Sequence, residues 1–183
     1  MASRKAPKKA GLRYFFLGVF TTIVAIAGLG YVYLWLGLAE VRGDVPPSQL
    51  ESSLMRMAVH AAVRRDAPEL TSPVPPSNVN LTTGGKMYLD QCAGCHGTPG
   101  KQRKYPDGLN PPVPQFPSVG TEYTESQIFW VAKHGIRRTG MFSNGLWDSD
   151  EELWALAAYI KRMNHLPPQV QEELAKPAKN GGE

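Results

Sequence analysis

The sequence predicts an all-α protein: one small helical domain preceded by a membrane-spanning helix and an amphipathic helix. Three observations carry this. Residues 14–39 hold no charged side chain. Capping patterns of the form Ser/Thr-x-x-Glu/Gln open stretches at Ser48, Thr124 and Ser149. Behind Ser48 and Ser149, apolar residues recur at the three- and four-residue spacing of one helix face. A chain of 183 residues allows one modest domain with accessory segments. The expected divisions are a basic N-terminus at 1–13, an anchor at 14–39, a helix and Pro-rich linker at 40–79, the main domain at 80–166 and a tail at 167–183.

Charge is unevenly placed. Residues 1–13 carry Arg4, Lys5, Lys8, Lys9 and Arg13 and no acid, while the rest of the chain is close to neutral. That split does not suggest nucleic acid; it is an orientation signal for a membrane helix. As a helix, residues 14–39 reach about 39 Å, enough to cross a hydrocarbon core of roughly 30 Å with some tilt. Tyr14, Phe15 and Phe16 at one end and Tyr31, Tyr33 and Trp35 at the other form the aromatic belts of a spanning helix. A cleaved export signal is the alternative, but its apolar region is shorter, and Gly37-Leu38-Ala39 makes a poor cleavage site. The positive-inside rule then puts residues 1–13 in the cytoplasm and everything after Glu40 outside.

In the next helix, Leu50, Leu54, Met57, Ala58 and Ala61 form an apolar stripe, while Ser52, Arg56, His60 and Arg64 form a polar one. His60 reads as a solvated surface histidine. The helix stops before Pro68, and residues 68–79, with four prolines, read as a semi-rigid linker. Whether this helix packs on the main domain, lies on the membrane or docks a partner is open in the sequence.

The main domain centres on Cys92-Ala93-Gly94-Cys95-His96. Two thiols three positions apart on a helical turn suit thioether bonds to the two vinyl groups of one porphyrin, with the adjacent imidazole carried beneath its metal. C-x-x-C-H is therefore read as the attachment site of one covalent haem c, with His96 an iron ligand. A thioredoxin-like dithiol expects a preceding strand, and a four-ligand zinc site wants a second cysteine pair; the chain has only these two cysteines.

Thr82 or Thr83 is expected to cap the helix that enters the motif. Gly85, Tyr88, Leu89 and Cys92 share a face there, with Gly85 admitting the backbone of the last helix. That last helix holds Leu153, Leu156, Ala157 and Ile160, with Trp154 and Tyr159 at the crossing, and ends near Asn164. Residues 97–120 lack periodicity and suit a loop that wraps a flat cofactor. Between Thr124 and Gly135 lies a short helix, with His134 as a terminal cap rather than a ligand.

For the second axial ligand, position sets aside Met1, Met55, Met57, Met87 and Met163. Met141 follows Thr139-Gly140 in a Gly-rich loop that can pass over the far face of the haem. The alternative is that Met141 is an apolar plug and the iron takes His134, His165 or water. Met/His ligation raises the reduction potential.

These residues together resemble the class I cytochrome c family across roughly residues 80–166. The likeness rests on Cys92, Cys95 and His96, the Gly85/Tyr88 face, the run from His134 to Met141, and the apolar positions of 153–160. Pro111-Pro112-Val113-Pro114 looks like the family's proline segment, where a carbonyl steadies the proximal histidine; Pro112 and Pro114 both remain open for that role. Phe142 stands where many relatives have proline. The combination with an anchor is similar to membrane-tethered bacterial monohaem cytochromes.

The resemblance implies one-electron transfer between redox partner proteins, as a free carrier or as a subunit of a respiratory or dehydrogenase chain. The rival is a haem enzyme or gas sensor with an open sixth site, for which no acid/base set is recognisable. Lys101, Arg103, Lys104, Lys133, Arg137 and Arg138 flank the motif and Met141. Either they form a basic rim that steers the domain to an acidic partner, or they are scattered solubilising charges.

Overall fold

A computed structural model describes residues 8–99, 109 and 111–176, with only the backbone of 8–10. Among these the regular structure is helical and no strand forms. The chain divides into two compact units, residues 1–42 and 43–183.

The first unit is helix α1, Lys8–Trp35. It is apolar enough to cross a membrane over Gly11–Trp35, and the side chains of that span are exposed. The helix stops short of residue 39 because Gly37, at φ +67°, closes a Schellman motif. Leu38 N–H donates to the Tyr33 carbonyl (3.2 Å), and Gly37 N–H donates to that of Leu34 (3.0 Å).

The second unit begins with α2, Gln49–Asp66, whose cap Ser48 accepts from Glu51 N–H. It ends at Asp66, two residues before Pro68, and Ala67, which precedes the proline, is extended as the proline dictates. The apolar stripe of α2, whose partner the sequence leaves open, is exposed, whereas Val63 is buried. One expectation about α2 is corrected. His60 is not simply solvated, because its Nδ1 lies 3.2 Å from the Tyr123 hydroxyl and the two rings meet edge to face. The proline stretch after α2 is not a free spacer either, since Val74 is buried in the core of the main domain.

Helix α3, Asn78–Met87, is capped by Ser77 rather than by Thr82 or Thr83, which lie inside it. The early start follows from the Ser77 side chain accepting from Asn80 N–H. A π-helical turn at Tyr88–Cys92 then leads into α4, Ala93–His96, and a short turn, α5, spans Phe116–Val119. Helices α6 (Glu125–His134) and α7 (Asp150–Arg162) each open on a complete capping box, at Thr124 and Ser149. A last helix, α8 (Pro168–Ala175), occupies part of the expected tail and buries Val170 against Leu81 and Ala158.

Helix α7 is the centre of this unit: residues 153–160 are all buried. Phe129 of α6 stacks on Trp154, and Tyr88 packs on Tyr159, so the aromatic residues do sit at the crossings. The glycine that admits the α7 backbone is Gly84, not Gly85. A Cβ on Gly84 would lie 2.1 Å from the Ala155 carbonyl oxygen. Gly85 instead faces the Leu174 and Tyr159 side chains. Leu89 is 40 % exposed while Tyr88 is fully buried. The π-helical turn adds a residue to the cycle, so the 3.6-residue face drawn through Gly85, Leu89 and Cys92 is broken there.

Candidate haem-attachment site

Cys92 and Cys95 are free thiols in half-buried positions on one turn. Burial, with lesser help from the Asp148 charge, pushes the Cys92 thiol up to about 12, so it is held protonated. The turn is braced from within by Tyr88, whose buried hydroxyl donates to the Gly97 carbonyl at 2.7 Å.

His96 is fixed from the other side. Its Nδ1 lies 2.9 Å from the Pro114 carbonyl, which resolves the choice between Pro112 and Pro114. A carbonyl only accepts, so Nδ1 carries the proton and Nε2 keeps its lone pair. Burial lowers the His96 pKa against the opposing pull of this hydrogen bond, which keeps the ring neutral. The Phe116 ring stacks on it, centroids 4.5 Å apart and planes 5° from parallel. Gln115 ties the same loop to the motif by donating to the carbonyls of Cys95 (3.1 Å) and Val113 (3.0 Å). Gln115 and Phe116 were not picked out from the sequence; their only sequence signal was adjacency to the proline segment.

Met141 is half-buried in the tight loop between α6 and α7. Gly135, at φ +66°, lets that loop fold back: a Cβ there would lie 2.6 Å from the Phe142 backbone. Ile136 N–H donates to the Met141 carbonyl, and Met141 N–H donates to the Thr139 hydroxyl. Farther along, Ser143 donates to the Lys133 carbonyl and buried Asn144 to that of Ala132. Two contacts bring this loop and its continuation to the motif region. Gln91 donates to Asp148 at 3.2 Å, and Gly140 lies against the Leu109 side chain. Phe142 and Trp147 pack edge to face there, with more than half of each exposed.

The competing ligands are placed differently. Met163 is buried in the core and Met87 packs against it, while His134 and His165 are exposed. Of the basic rim, Lys101, Arg103 and Lys104 lie outside the described residues. Lys133 does not belong to a free rim, because it is paired with Asp150 at 2.7 Å. Arg137 and Arg138 are exposed.

The residues present fit a covalent haem: two unbridged thiols one turn apart, an imidazole with its outer nitrogen tied and its inner nitrogen available, and apolar side chains beside them. A helical fold built round such a turn defines a c-type cytochrome domain, the class that carries covalently bound haem c and transfers electrons with it. Residues 79–160 match the family model described as cytochrome c oxidase, cbb3-type, subunit III, a c-type cytochrome domain. Comparisons with curated proteins and with solved structures give no significant match.

Proposed function

We propose that the chain is a membrane-tethered monohaem electron-transfer protein, with α1 in a bacterial inner membrane and the cytochrome domain on the periplasmic side. The hydrogen bond between His96 Nδ1 and the Pro114 carbonyl carries the reading most directly, because a ligand imidazole needs its outer nitrogen held and its inner one available. Haem c, when bound, supplies the one-electron ferrous/ferric couple. Cys92 and Cys95 would hold it by thioether bonds, and His96 Nε2 would bind its iron. Met141 would supply a thioether sulfur as a second iron ligand, its backbone placed by the hydrogen-bonded turn at residues 136–141. Phe116 and the buried face of the motif keep water from the proximal side.

The family description names an oxidase subunit, which favours a subunit of a respiratory chain over a free carrier. Topology tests the whole reading. Protease added to spheroplasts is expected to remove all covalent haem stain from the membrane-bound chain while leaving an N-terminal tag protected. Haem stain that resists protease in intact spheroplasts, or full-length chain recovered in the soluble fraction, would overturn it.

A further inference from the structure

Helix α2 is turned the wrong way for a helix that belongs only to the cytochrome domain. On a helical projection Leu50, Leu54, Met57 and Ala61 fall within an arc of about 60°. A soluble protein turns such a stripe to its core. Here Leu50 is 70 %, Leu54 49 % and Met57 61 % exposed, and Ala58 and Ala61 are exposed too. What meets the domain is the other side: buried Val63, and His60 bonded to Tyr123. The seat against the domain is thus made partly by polar residues, while the apolar stripe is left outward.

We infer that the outward face of α2 lies on the lipid surface, so that the cytochrome domain is held against the bilayer through this helix. The inference rests on the reading of α1 as the anchor. Only residues 36–48 separate the two helices, which confines α2 to within about 50 Å of the membrane exit even when fully extended. An apolar stripe on a short leash from a spanning helix continues the membrane interface along the chain. Charge agrees: α2 carries Arg56, Arg64 and Arg65 against Glu51 and Asp66. Arg65 is paired with Asp66, and Arg64 borders the stripe where a guanidinium reaches anionic headgroups. A membrane-surface helix has this make-up.

The test uses the full haem-loaded chain in vesicles of phosphatidylglycerol and phosphatidylethanolamine. Single variants Leu54→Cys, Met57→Cys and Arg56→Cys are treated with a charged, water-soluble maleimide, and the labelling rate is read by mass spectrometry. Lipid docking predicts that Leu54→Cys and Met57→Cys react at least about tenfold more slowly than Arg56→Cys, at every protein-to-lipid ratio. Equal rates overturn the inference. So does protection that vanishes as protein is diluted in lipid, which assigns the face to a second copy. Protection found only in native membranes overturns it in favour of a protein partner. Two controls separate this from failure of the underlying reading: Val24→Cys must be unreactive if α1 spans, and the wild-type chain must take no label if haem occupies both cysteines.

Discussion

At the scale of single residues, the site depends on what holds the two side chains proposed as iron ligands. His96 is gripped by one carbonyl and one ring, both from the loop that follows the motif. Among the described residues, the hydrogen bonds that hold Met141 are made by its backbone, so its side chain tests the assignment without removing them. Met141→Ala is expected to abolish the methionine-to-iron charge-transfer band in the near-red, open the iron to added ligands and lower the potential. Met163→Ala, a core truncation, should cost stability and leave the band in place. A retained band in Met141→Ala would pass the ligand role to another side chain. The motif stands out in the sequence because covalent attachment of a haem would fix both the type and the spacing of its residues. The hydrogen bond that orients His96 was legible only as two candidates, because the carbonyl is a backbone atom and the pattern of prolines fits 112 and 114 equally.

At the scale of elements, the Ser/Thr-x-x-Glu/Gln caps were the most legible feature and α3, whose cap and face both differ from expectation, the least. Ser48, Thr124 and Ser149 all cap where the pattern puts them, because a capping box is local chemistry complete within four residues. The α3 face failed for a definite reason: the π-helical turn at Tyr88–Cys92 leaves the regular cycle, and no local pattern announces it. The crossing with α7 then falls on Gly84, where backbone meets backbone. Gly84→Ala forces its Cβ into the Ala155 peptide and is expected to cost about 2 kcal/mol or more, or to prevent holoprotein accumulation. Gly85→Ala meets only the movable ends of Leu174 and Tyr159 and should be the milder change. Thermal unfolding of the two variants, followed by the haem absorbance, checks the order; a reversed order would place the crossing one residue later. The outward stripe of α2 shows the converse limit. Its periodicity was legible, but which side of an amphipathic helix is buried depends on what surrounds it.

At the scale of the whole molecule, the question is what field a redox partner meets. Pairing of Lys133 with Asp150 removes one member from the expected basic rim, leaving Arg137 and Arg138 as its exposed cations among the described residues. They precede Met141 on the same loop, and Arg138 adopts a left-handed conformation at φ +63°. If these two charges set the local potential at the haem edge, small reagents should feel it before any protein partner does. The ferricyanide trianion should oxidise the reduced full chain in detergent faster than a cationic oxidant of similar driving force. Its rate should fall as salt rises, because exposed charges are screened over about 10 Å at 0.1 M. The cationic oxidant should speed up over the same range. Arg137→Glu with Arg138→Glu should invert both salt trends and leave the haem spectrum unchanged, since neither side chain is assigned to the iron. Identical salt curves for wild type and the double variant would mean that electrons leave by another face, and the charges around Met141 would then be solubilising only.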